Sequence, residues 1–224
     1  MTIEFKKEEW SVTSIPYSEA KEWVLCKHYA HRIPMICYAF GLYREGVLNG
    51  VCTFGVPASQ DLIIGAIGIE YKDMFLELNR LVVNDGLPKN ALSFFVSQCL
   101  KQLPRPMVVI SYADSGMNHH GYIYQATNWI YTGMSKPHVD SLPEGREGMH
   151  VRTLYNNFSI KETSMKMVKV ERSRKYRYFQ FLGDKRQRKK MLKDLKFPVV
   201  KEYPKGDNVR YDASYETHPN GVLF

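Results

Sequence analysis

The strongest constraint on this chain lies between Met74 and Asp114. Residues 74–83, MFLELNRLVV, form a short apolar run dense in types that suit a buried strand. Residues 84–90, NDGLPKN, then punctuate the chain with turn formers. From Ala91 to Leu103 the apolar positions 92, 95, 96, 99, 100 and 103 follow helical spacing, and Pro104 and Pro106 stop the helix. Residues 107–114, MVVISYAD, read as a second buried strand that ends on a carboxylate. Strand, crossover helix and strand predict a right-handed parallel unit whose loops open at the strands' carboxyl ends. The turn before the helix presents the N–H groups of residues 88 to 93 where the helix dipole favours an anion. Only Gly86 relaxes the backbone there, and neither GxGxxG nor a P-loop pattern occurs. Two readings stay open at this point: an anion cradle, or an ordinary turn capped by Asn90.

The flanking chain extends this unit into a mixed α/β sheet. Ser11–Ile15 is a short β-type run, and Tyr17–Tyr29 is expected to be helical and to end before Pro34. Ile36–Tyr43 and Val47–Val56 surround Arg44-Glu45-Gly46, which predicts a hairpin. Residues 57–70 read as a loop. After Asp114 come a polar loop to Gly121, a short helix over Tyr122–Thr127, a strand over Trp129–Gly133, a loop or lid over 135–150, and a final strand over Arg152–Phe158. His28 and Tyr29 at a helix end form either a metal or proton-transfer site, or a solvated end with histidine at the negative pole of the dipole. His119 and His120 pose the same choice in their loop. Tyr122 and Tyr124 lie two apart, so only one is expected to face a site.

Charge bounds the partner. Between residues 161 and 206 there are 16 Lys and Arg against 5 Asp and Glu, in a chain whose net charge is +8. Residues 172–181, RSRKYRYFQF, interleave bases with aromatics, and residues 184–193, DKRQRKKMLK, form a basic helix. Cations for phosphates and rings for stacking suit a nucleic-acid surface. A β-strand over 176–181 would instead bury half of those aromatics. The expected organisation is a catalytic domain over 1–158 and a basic C-terminal extension over 159–224 that contacts DNA. Four scattered cysteines without a CxxC pair predict free buried thiols, and the charged N-terminus is unlike a signal peptide. No apolar run reaches membrane-spanning length, so a cytoplasmic protein is expected.

Four motifs carry a resemblance: Glu77-Leu78-Asn79-Arg80-Leu81, Pro88-Lys89-Asn90-Ala91-Leu92-Ser93, Ser111-Tyr112-Ala113-Asp114, and Gly121 to Asn128. Together they resemble the Mom family of bacteriophage DNA-modification proteins, a branch of the GNAT acyltransferase superfamily. The resemblance covers roughly residues 22 to 134. It implies a GNAT-like sheet and conversion of adenine in double-stranded DNA to N6-(carbamoylmethyl)adenine, which shields phage DNA from host restriction. Such chemistry needs a flipped or unpaired base. It further implies acetyl-CoA or a related acyl-CoA, held along Leu81, Val83, Pro88, Lys89, Asn90, Ala91 and Ser93. Arg80, Asp114 and Tyr124, with His28 and Tyr29, match positions tied to activity, and His28 and Tyr29 match a candidate iron site. Asp114 is the expected base and Tyr124 the expected acid. Competing readings are an ordinary GNAT N-acetyltransferase acting on a protein or small amine, and a non-catalytic DNA-binding protein.

Overall fold

The strand-helix-strand unit is the centre of the molecule. A computed structural model describes residues 4–146, 154 and 166–207. In it β4 is Phe75–Val83, α3 is Ala91–Gln102 and β5 is Met107–Asp114, and the two strands are parallel. Burial of Phe95, Val96, Cys99 and Leu100 holds α3 against the sheet, at roughly 1.5–3 kcal/mol per large apolar side chain. Leu103 turns extended because the residue before a proline disfavours the helical region.

Ahead of this unit, β1 (Trp10–Ser14), α1 (Tyr17–Lys27), β2 (Tyr38–Arg44) and β3 (Val47–Gly55) build an antiparallel meander onto β4. Glu45 and Gly46 both have positive φ, 50° and 79°, between paired Arg44 and Val47. That is the two-residue turn whose twist matches a hairpin. Residues 57–70 differ from the expected loop. Gln60–Ala66 forms α2 and Ile69–Met74 a 3-10 turn. Ile63, Ala66 and Ile67 are buried at helical spacing, a pattern that Pro57 and Gly65 obscure in the sequence.

After β5 the chain forms α4 (Tyr122–Ala126), β6 (Ile130–Met134), β7 (His138–Pro143), β8 (Met167–Arg172), β9 (Lys175–Leu182) and α5 (Lys185–Asp194). The main sheet has the order β1-β2-β3-β4-β5-β9-β6, with β7 and β8 as a separate ribbon. β7 occupies part of the stretch expected to be a loop or lid. The strand expected over Arg152–Phe158 lies outside the described residues except for Leu154, which is helical and buried.

The placement of β9 changes the reading of the basic segment. Lys175–Leu182 pairs with β5 along its whole length and with β6 on its other edge. Tyr178, Phe179 and Phe181 are buried in the core, so they are packing residues and offer no rings to bases. This part of the C-terminal segment is therefore inside the sheet rather than a tail. Cys52 and Cys99 are buried as expected, but Cys37 is exposed. No helix among the described residues is long and apolar enough to cross a membrane.

The register of β4 creates the site. Its pairing with β5 stops after Phe75–Glu77 against Val108–Ile110. Beyond that point β4 stays with β3 while β5 follows β9, so the strands splay. A bulge sets Asn79 out of register, where Thr53 Oγ1 donates to its Oδ1 (2.6 Å) and its Nδ2 donates to the Met35 carbonyl (2.8 Å).

Candidate functional site

The splay opens into a cavity of about 560 Å³ between β4, the start of α3, the end of β5 and α4. One end is apolar and bordered by the start of α3. Leu81, Val83, Pro88, Lys89, Asn90 and Ser93 line it. Ala91 does not: it is fully buried, and its N–H donates to the Pro88 carbonyl (3.1 Å). Asn90 sits at the N-cap in the left-handed region (φ 78°) and makes no side-chain cap. Instead the Ser93 hydroxyl donates to the Asn90 carbonyl (3.0 Å). The N–H groups of Leu92 and Ser93 make no hydrogen bond among the described residues. They are the orphan donors of a helix start, at the positive end of the dipole.

The other end is polar. Tyr124 is buried on the cavity wall, and its oxygen lies 2.7 Å from Ser111 Oγ. The Ser111 hydroxyl also sits 2.8 Å from the Leu78 carbonyl. A carbonyl only accepts, so Ser111 gives its proton there and Tyr124 donates to Ser111. Burial raises the Tyr124 phenol well above its ordinary pKa, so it stays protonated. Tyr122 lines the cavity too, from an exposed position on the rim, so both tyrosines reach the site rather than one.

His28 and Tyr29 stack, with ring centroids 4.3 Å apart, and both line the cavity. His28 is 6% exposed. Burial first, then the charges of Arg80, His31 and His119, lower its pKa to about 2, so the ring is neutral. Its Nδ1 accepts from the Ala30 N–H (3.1 Å). Arg80 reaches the same end, held by the Arg32 carbonyl (3.0 Å from Nη2) and the Asn79 carbonyl (2.6 Å from Nη1). These residues do not fit an iron centre. One imidazole nitrogen of His28 is already an acceptor, and no group of three His, Cys, Asp or Glu among the described residues could hold a metal. The expectation of iron at His28 and Tyr29 is thus unsupported.

Asp114 is the expected site residue that the structure displaces. Ala113 lines the cavity and Asp114 does not. Its Oδ1 accepts from the Gly116 N–H (3.0 Å) and the Ser173 hydroxyl (2.5 Å), and Lys175 Nζ lies 3.5 Å from Oδ2. It remains near enough for its charge to help burial raise the Tyr29 phenol. Three residues join the site beyond those expected there. His119, whose loop allowed either reading, lines the cavity edge-on to Tyr29, at 5.8 Å. Ser111 holds Tyr124. Glu77, just before the splay, has a carboxyl raised above its ordinary value by burial, with Arg80 and Lys175 opposing. For Ser111 the signal was the alternation with Tyr112 on β5, since successive strand residues face opposite sides.

Comparison with known proteins agrees with the motif resemblance. The Mom protein family matches residues 9–205. The chain belongs to this family. A relative, "Methylcarbamoylase mom" of Escherichia phage Mu, is 27% identical over 222 residues, covering 91% of this chain and 87% of that protein. Similar solved structures include the ribosomal-protein-S18-alanine N-acetyltransferase from Escherichia coli, 8% identical with a TM-score of 0.46, covering 78% of this chain and 95% of that one. Another is yncA, a putative acetyltransferase from Salmonella typhimurium with its cofactor acetyl-CoA, 9% identical with a TM-score of 0.45, covering 79% and 95%. Within this Mom-family chain the matched span includes every residue that lines the cavity.

Proposed function

We propose that the protein is a DNA-modifying transferase of the cytoplasm that uses a CoA thioester to convert adenine in DNA to N6-(carbamoylmethyl)adenine. The observation that carries this reading is one cavity joining an anion-accepting helix start to a polar end, through the gap where β4 leaves β5. The pyrophosphate of CoA fits the Leu92 and Ser93 N–H groups, with Lys89 as counter-charge. The pantetheine arm fits the edge of β4 at Leu81 and Val83, as an added strand would, since their backbone groups on the splayed side pair with no strand among the described residues. Bound there, CoA would supply the two-carbon unit as a thioester and leave as the thiol. Transfer of the acyl carbon alone gives N6-acetyladenine, so the carbamoylmethyl product also requires an amide-nitrogen donor and a two-electron oxidant as co-reactants.

The protein's own residues then act at the polar end. Tyr124 holds its proton on the cavity wall and can turn it from Ser111 to the sulfur. Arg80 presents fixed positive charge, and the neutral His28 stacked on Tyr29 gives a flat wall for an extruded base. In this reading Asp114, next to the cavity-lining Ala113, takes the proton from the adenine amine through Oδ2, which lies 3.5 Å from Lys175 Nζ, once the bound base reaches beyond the cavity wall. Tyr124→Phe and Asp114→Asn should each reduce modification by roughly 100-fold or more, within the range of lost acid or base catalysis. Tyr124→Phe should cost only about 1 kcal/mol of stability, one neutral hydrogen bond. Modification assays set beside thermal melts check this; variants that unfold, or stay fully active, would count against the assignment.

The reaction itself is tested by mass analysis of nucleosides from DNA of cells that express the protein. A deoxyadenosine heavier by one carbamoylmethyl substituent is expected. Unmodified adenine, with acetylated protein or small amines in its place, would make this an ordinary acetyltransferase. Unmodified DNA with no transfer at all would leave a binding protein.

A further inference from the structure

The fold divides the basic C-terminal segment into two cationic surfaces at opposite ends of the parallel pair. Asp114, beside the cavity, is level with Lys175, whereas Met107 at the start of β5 is level with Leu182. α5 follows Leu182 and stays at that far end. Tyr71 donates to Asp194 (2.6 Å), and Met74, Pro106, Gln187 and Met191 line a shallow depression together. Seven strand steps separate the two ends, about 23 Å at ~3.3 Å per residue.

The charges of α5 are arranged on one side. Met191 anchors the inner face, 3% exposed, and Lys190 is spent on Asp194 (2.5 Å) and the Tyr71 hydroxyl (3.2 Å). A capping box between Asp184 and Gln187 fixes the helix start. Lys185, Arg186, Arg188, Lys189 and Lys193 are exposed, and their side chains make no hydrogen bond or ion pair among the described residues. Like charges three and four apart destabilise a helix, so folding alone gives no reason for this row. A ligand that neutralises it does. No residue of α5 is aromatic, and of the preceding strand Tyr178, Phe179 and Phe181 are buried while the half-buried Tyr176 lies at the end away from it. A surface with cations and no stacking platform suits duplex phosphates better than single-stranded bases.

We propose that the outer face of α5 is a tether for the backbone of duplex DNA, separate from the contacts that present the target base at the cavity. Those nearer contacts fall to Lys175, level with Asp114 at the other end of the strand, and to its neighbours Arg174, whose Nε donates to the Ser135 carbonyl (2.9 Å), and Lys136. The proposal rests on the reading of DNA as the polymer acted upon, and it does not require the reaction.

The test compares the full chain with an Arg186→Gln, Arg188→Gln, Lys189→Gln, Lys193→Gln variant by fluorescence anisotropy across salt. Two probes are used, a duplex of about 40 bp and a hairpin-capped duplex of about 9 bp with the same central adenine. At ~3.4 Å per bp the short probe ends before it reaches α5. On the long duplex the variant should bind more weakly, with a log–log salt slope flatter by about 3–4, at ~0.9 for each phosphate that is no longer neutralised. On the short duplex, and for acetyl-CoA, it should match the parent protein. An unchanged slope on the long duplex would make the row a solvated face. Equal loss on both probes would place α5 at the cavity mouth and overturn the tether. An equal loss with single-stranded RNA of matched length would overturn the assignment to duplex DNA. Because binding is read without turnover, an α5-dependent slope with unmodified adenine would sink the proposed reaction and leave the tether standing.

Discussion

Ser93→Glu is expected to weaken acetyl-CoA binding by about 100-fold or more while leaving the fold intact. The side chain lies in the first turn of α3, on the cavity wall. A carboxylate in that turn is favourable to the helix itself, by roughly 0.3–1 kcal/mol. It also fills the space and neutralises the field meant for a pyrophosphate. Two unit charges about 4 Å apart near a protein surface repel by roughly 4 kcal/mol, which is more than 100-fold in affinity. Ser93→Ala should have little effect, because that hydroxyl is spent on the Asn90 carbonyl. Calorimetry with acetyl-CoA, beside a thermal melt, separates the two. Full binding by the glutamate variant would remove the anion cradle, and with it the CoA reading of this cavity.

Acidification is expected to unfold the protein early, through His28. Its folded pKa of about 2 lies below the ordinary 6.5, because the ring is buried and faces Arg80, His31 and His119. Below pH 6.5 the unfolded chain binds a proton at this site that the folded chain refuses. Stability is therefore fully present above about pH 6.5 and is lost as pH falls towards 2. The slope is about 1.4 kcal/mol per pH unit, so roughly 2–3 kcal/mol should be gone by pH 4.5. That is a large part of the stability of an ordinary domain. Glu77 acts in the opposite sense, since a carboxyl raised by burial favours the folded state as pH falls through its range. Urea midpoints between pH 7 and 4.5 measure the sum, and His28→Gln isolates the histidine. The variant should lose most of the slope; an equal slope in both proteins would exclude His28 as the cause.

Local pattern determined a good deal of this protein. The unit β4–α3–β5 follows from an apolar run, helical spacing and two prolines, all of which act within a few residues of where they are read. The Glu45-Gly46 turn follows from a single glycine between two β-type runs. Leu81 and Val83 lie two apart on their strand and so share the face that leads to the turn and Ser93. Their family motif pointed to the same place. α2 was lost to the same local logic, since Pro57 and Gly65 outweighed the spacing of Ile63, Ala66 and Ile67 until burial decided.

What only the tertiary structure decided are the pairings between distant parts of the chain. No spacing rule says that Lys175–Leu182 leaves its basic surroundings to sit between β5 and β6, because strand partners are chosen by packing over the whole sheet. That insertion turned candidate stacking rings into core. It brought Ser173 and Lys175 onto Asp114, and it sent α5 to the end of the sheet away from the cavity. The approach of His119 to Tyr29 spans some ninety residues of sequence and arises from the splay of β4 and β5. Residue types alone named the chemistry at each position. Which of those groups face one another depends on where the sheet stops pairing, and that is a property of the assembled core.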